Sequence, residues 1–248
     1  MTILEGREGL ELSFKSREKA GLLIGIFTIV ISLSPYPFFL LGLVFLSFVI
    51  GYELSRALDF TYFYFAPLTL FASLVSTELG LLLAFLLSLY SGWRFWSLQS
   101  MLKSLLLSSY GGLLPSFLSN LKSMDSYAVI KLLIFVWAVD IFSYYVGKSF
   151  GKTPLAPRLS PKKTWEGLLG GAIAGTLALL ILHGFLKGLL WSPLLITAAL
   201  FGDLFKSFIK RQVGIKDFSH VLGEHGGFTD RFDSLLFTAP VYIFLLKF

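Results

Sequence analysis

The sequence predicts an all-α polytopic integral membrane protein. About nine transmembrane helices are expected, with a cytoplasmic N-terminus and two functional loops on the cytoplasmic face. Three observations carry this. Of 248 residues, 55% are hydrophobic and 15% are charged, whereas soluble domains sit near 25% charged. Apolar segments recur at close to the roughly 20 residues that cross a bilayer as a helix. Lys and Arg, finally, divide unevenly between the connecting loops. A water-soluble domain of this size would need far more surface charge. That excludes a disordered chain, a nucleic-acid-binding tail and almost any soluble enzyme, so no nucleic acid is expected as a partner.

The first nineteen residues mix four acidic with four basic side chains. The apolar run from Ala20 leads into further apolar runs, so it reads as a retained first span rather than a cleaved leader. The expected spans are 20–35, 36–52, 60–76, 77–93, 104–121, 126–147, 168–186, 188–209 and 234–248. Tight hinges such as Ser34-Pro35-Tyr36-Pro37 and the Gly184–Gly188 stretch separate neighbours. Two connections are long, 148–167 and 210–233. This divides the chain into N-terminal membrane helices (1–125, about five spans) and a C-terminal catalytic membrane domain (126–248). With the N-terminus inside, seventeen Lys and Arg fall on inner segments and three on outer ones. Both long loops then face the cytoplasm, and the expected location is the cell (inner or plasma) membrane, with the active site on the cytoplasmic side.

Charged residues inside spans are costly and mark function by default. Lys131 reads as a side chain reaching to the nearer interface. Asp140, two turns from the cytoplasmic end, faces the interior as the partner of a lysine or as part of a site. From Asp203, helical spacing puts Ser207, Lys210 and Arg211 on one stripe. Such a stripe suits a metal-bound phosphate, or alternatively an interior run of salt bridges. The following loop carries Gly226-Gly227, whose N–H groups can converge on an anion. Asp230 and Asp233 lie one turn apart, a spacing at which two carboxylates share a divalent cation. With no cysteine and only three dispersed histidines, His183, His220 and His225, zinc is excluded and a hard, oxygen-bound ion such as Mg²⁺ is expected. In the 148–167 loop, Gly147 and Gly151 are too close for a P-loop, and Ser160-Pro161 reads as a helix cap before Trp165.

From Ser207 to Asp233 the chain matches every fixed position of the signature S-x-[LIVMF]-K-R-x(4)-K-D-x-[GSA]-x(2)-[LIF]-[PG]-x-H-G-G-[LIVMF]-x-D-R-[LIVMFT]-D. It therefore resembles the phosphatidate cytidylyltransferase (CDP-diglyceride synthetase) family. The stretch Ser160 to Gly167, the lead-in from Gly202 and the segment Asp140 to Lys148 are similar to that family too, so the resemblance is specific over about 137–240. Gly223-Glu224 stands where the family usually has Pro-Gly.

The resemblance implies transfer of a cytidylyl group from CTP to phosphatidic acid, giving CDP-diacylglycerol and pyrophosphate, with Mg²⁺ as cofactor. Partners would be CTP, phosphatidic acid and membrane lipid, and a homodimer is also expected. It assigns the metal to Asp203 and Asp230, with Asp233 second. Phosphates go to Lys210, Arg211, Lys216 and Arg231, and N–H donors to Gly226 and Gly227. Lys162 and Lys163 would hold the nucleotide or the lipid headgroup, and Ser207, His225 and Asp140 complete the substrate-binding set. The competing expectations are a CTP-dependent polyprenol kinase and, from another class, a transporter.

Overall fold

The computed structural model describes residues 24–219 and 227–247. Its apolar segments form a bundle of α1 (Ile24–Leu33), α2 (Tyr36–Ala57), α3 (Phe65–Val75), α4 (Thr77–Phe95) and α5 (Leu98–Ser108). A π-helical turn (Ser109–Leu113) joins α5 to α6 (Leu114–Met124). Then come α7 (Ala128–Phe150), α8 (Trp165–His183), α9 (Phe185–Gln212) and α10 (Thr229–Leu246). Between α7 and α8, β1 (Pro154–Ala156) pairs antiparallel with β2 (Ser160–Thr164).

The fold is helical and membrane-like, and among the described residues four helices, α2, α7, α8 and α9, have the length and apolarity to cross a bilayer. Not every expected span is a full crossing. Segment 60–76 reduces to α3, whose 11 residues reach only about 16 Å at 1.5 Å per residue. The aromatic residues ahead of it supplied the apolar run but form a turn, in which Tyr62 stacks on Phe65 at 5.0 Å. Segment 104–121 belongs to an uninterrupted helical run from Leu98 to Met124 whose middle, Ser109–Leu113, is π-helical. The expected cap at Ser160-Pro161 is also corrected, since both residues lie in β2. The cap of α8 is Thr164, whose hydroxyl accepts the Gly167 N–H at 3.1 Å.

Close approaches set the C-terminal helices. Gly167, Gly171 and Gly175 recur every fourth residue on α8. A Cβ at Gly167 or Gly171 would lie 2.7 Å from the main-chain oxygen of Ser143 or Val139 on α7, so α8 rests directly on α7. Gly202 does the same between α9 and α10, where a Cβ would lie 2.7 Å from the Asp233 carbonyl. One hydrophobic core includes Ile50, Leu54 and Leu70 together with Phe135, Leu195 and Leu236, all fully buried.

The bundle has two chemically distinct ends. At one, Lys122 donates to the Ser32 carbonyl (2.6 Å), and the Tyr242 hydroxyl lies 2.7 Å from His183 Nε2. At the other, Arg211 Nε donates to the Leu159 carbonyl at 3.3 Å. The hairpin and the end of α9 therefore share one end.

Candidate active site

A cavity of 790 Å³ opens at the hairpin end of the bundle, within the size range of ligand sites. From α7 come Val139, Asp140, Ser143 and Lys148. The hairpin and the start of α8 contribute Lys162, Lys163 and Thr164. Helix α9 adds Ile196, Leu200, Asp203 and Lys206, and α10 adds Asp230, Arg231 and Asp233. Much of this lining is polar and charged, and apolar side chains of α7, α8, α9 and the hairpin join it.

Lys206 is the hub of the charges. Its ammonium lies 3.3 Å from Asp203 Oδ1 and 2.7 Å from Asp233 Oδ2, and it donates to the Asp230 carbonyl at 3.1 Å. Lys163, reaching in from β2, forms an ion pair with the other oxygen of Asp203. Taking carboxylates out of water demands such partners. The close approach at Gly202 explains why Asp203 and Asp233 meet here. The sequence reading passed over Lys206, although it sits three residues from Asp203 and so on the same helical face.

Asp230 is engaged differently. Its Oδ1 accepts from Lys210 at 2.6 Å, while Oδ2 accepts the Phe218 and Gly227 N–H groups at 3.0 and 3.1 Å. The Gly227 N–H, expected to meet a substrate anion, thus meets an internal carboxylate. Asp203 stands with Asp233 across Lys206, and its expected pairing with Asp230 is not formed directly.

The expected stripe on α9 also separates. The Ser207 hydroxyl donates to the Asp203 carbonyl at 2.9 Å and is buried. Lys210 is buried against Asp230, and exposed Arg211 holds the hairpin and the Ile215 carbonyl. Lys216 is exposed and outside the cavity wall. His225 and Gly226 lie outside the described residues. Asp140, Lys162, Lys163, Asp203, Asp230, Arg231 and Asp233 are brought together. Lys131, away from the site, pairs with Asp125 at 2.7 Å. That hydrogen bond, with the Tyr127 N–H, holds the Asp125 carboxyl below its ordinary range.

The donor set fits a hard cation. Asp203 and Asp233 flank a single ammonium, and buried Asp233 Oδ2 lacks an aligned hydrogen bond despite the nearby Lys206. Among the described residues no three His, Asp or Glu converge as a ready cage. Remaining ligands would come from water and substrate, as Mg²⁺ prefers.

Comparison with known proteins follows the same line. Residues 20–248 match the cytidylyltransferase family. The phosphatidate cytidylyltransferase of Aquifex aeolicus is 46% identical over 250 residues, covering 99% of this chain and 96% of that protein. The Haemophilus influenzae enzyme of the same name is 33% identical over 68% of this chain and 65% of its own length. That of Pseudomonas aeruginosa is 41% identical over 48% of this chain and 46% of its own length. This chain thus spans less than two thirds of the latter two relatives.

Proposed function

The chain belongs to the cytidylyltransferase family, and from that premise we propose that it transfers the cytidylyl group of CTP to phosphatidic acid. The products are CDP-diacylglycerol and pyrophosphate. The observation that carries the reading is the cavity at the hairpin end, lined by signature carboxylates and five cations (Lys148, Lys162, Lys163, Lys206 and Arg231). Both substrates are polyanions, and this lining supplies the opposite charge.

A phosphate oxygen of the lipid attacks the α-phosphorus of CTP. A new P–O bond forms as the bond to the β-phosphate oxygen breaks and pyrophosphate departs. The attacking oxygen is already ionised near neutral pH, so no strong general base is required, and rate enhancement comes from positioning and charge neutralisation. Asp203 and Asp233 would hold Mg²⁺, while Asp230 stays engaged by Lys210 and by the Phe218 and Gly227 N–H groups. When bound, the ion supplies neutralisation of the triphosphate and the leaving pyrophosphate. Lys163 and Lys206 exchange their carboxylate partners for phosphate oxygens, and Lys162 and Arg231 hold the outer charges. The hairpin end of the bundle faces the cytoplasm, where CTP is available, and the surrounding helices lie in the cell membrane.

The test is purified protein in phosphatidic acid vesicles with Mg²⁺ and CTP carrying label in the cytosine or, separately, in the γ-phosphate. Cytosine label in the lipid supports transfer. Label from the γ-phosphate alone, or equal use of a neutral lipid alcohol, would assign the chain to the lipid kinases instead.

A further inference from the structure

Glu53 lies in apolar α2, yet it is 2% exposed, and the transfer mechanism above does not use it. Among the described residues, its carboxylate accepts four hydrogen bonds. Oε1 takes the Ser219 hydroxyl (2.5 Å) and the Phe228 N–H (3.0 Å). Oε2 takes the Thr229 N–H (2.8 Å) and the Thr229 hydroxyl (2.7 Å).

The Phe228 and Thr229 donors sit at the start of α10, where the first amides have no partner within the helix. The residue preceding α10, Phe228, provides no side-chain cap. Glu53 supplies one from 175 residues upstream, and its negative charge suits the positive end of the helix. The fit is tight, since a Cβ on Gly227 would come within 2.5–2.7 Å of both carboxylate oxygens. That contact gives Gly227 a reason to be glycine besides an anion cradle.

The first turns of α10 carry Asp230 and Asp233. Thr229 and Asp233 are four residues apart and share a face. A slip or rotation of this helix start would move Asp233 away from Lys206 and Asp203. We propose that Glu53 is a positioning residue for the cytidylyl transfer argued above: it fixes the start of α10 so that the carboxylates facing the cavity keep their register. The inference rests on that functional reading, and it gives the N-terminal helices a part in the site.

Glu53→Gln tests it, because the amide keeps the side chain's size and one acceptor while losing the charge and the second acceptor. In folded protein, kcat should fall about 10–100-fold, as with outer partners of metal sites. The Mg²⁺ concentration for half-maximal rate should rise, while KM for CTP at saturating Mg²⁺ stays within about twofold. A second readout is Mn²⁺ binding followed by electron paramagnetic resonance without substrate, which should weaken in the same variant. Wild-type kcat and Mg²⁺ dependence, or equal Mn²⁺ affinity, overturns the proposal. Thr229→Val removes one donor to Glu53 and should move the same quantities by less. Should Glu53→Gln fail to fold, this second variant decides, and no change in it overturns the proposal. If the wild type transfers no cytidylyl group, the functional reading fails separately, and the Mn²⁺ comparison still decides the role of Glu53.

Discussion

Lys206 touches Asp203 and Asp233 and the Asp230 main chain, so one ammonium serves two of the site's carboxylates. Replacing it by methionine leaves two inward carboxylates without that partner. Breaking a buried pair in this way costs about 3–5 kcal/mol, and Lys206→Met should lower thermal stability in detergent as well as abolish turnover. A Lys206→Met protein as stable as wild type would show that the ion pairs contribute little. Asp125→Asn is the contrasting case, for Asp125 is half-exposed and far from the cavity. Its lowered folded-state pKa means its contribution is present above the unfolded carboxyl value and is lost as pH falls through the folded one. Near neutral pH the variant should keep wild-type turnover and lose about 1 kcal/mol or less, measured by thermal denaturation.

At the scale of elements, glycines decide which helices meet. Gly171→Leu forces a side chain into the main chain of α7, and Gly202→Leu forces one into α10 at Asp233. Each should cost about 1–3 kcal/mol. Gly202→Leu should also cut turnover more sharply, because it separates Asp203 from Asp233. Comparable activity loss in the two variants at equal stability would contradict this. The long apolar helices were legible from hydropathy. The expected 126–147 and 188–209 became Ala128–Phe150 and Phe185–Gln212, since an apolar run of that length has few alternatives in a bilayer. The hairpin was not legible, being short, polar and placed by Arg211 and Asp203 of α9, which bond its Leu159 carbonyl and its Lys163. Residues 60–64 misled because aromatic side chains score as apolar whether they span or turn. Glu53 carried a visible signal, an acid within an apolar helix, but its partners are about 175 positions away and no local pattern identifies them.

The whole molecule brings elements from both halves of the chain to one end. The hairpin, the end of α9, the start of α10 and Glu53 of α2 meet there, and Lys and Arg concentrate in the same loops. Single cysteines introduced at Ser160 and Ser219 into this cysteine-free chain should therefore react with an impermeant reagent from the same side of a sealed membrane. Labelling from opposite sides would break the architecture. The proposed place of cytidylyl transfer is the cavity between α7, α9 and α10. The most direct measurement is the initial rate of CDP-diacylglycerol formation in phosphatidic acid vesicles by wild type, Asp203→Asn, Asp233→Asn and the double variant, with Asp125→Asn alongside. Each single cavity variant should lose at least ~100-fold, the double variant should lose no more, and Asp125→Asn should keep the wild-type rate. Near-wild-type turnover by folded Asp203→Asn or Asp233→Asn at ordinary Mg²⁺ would contradict that placement.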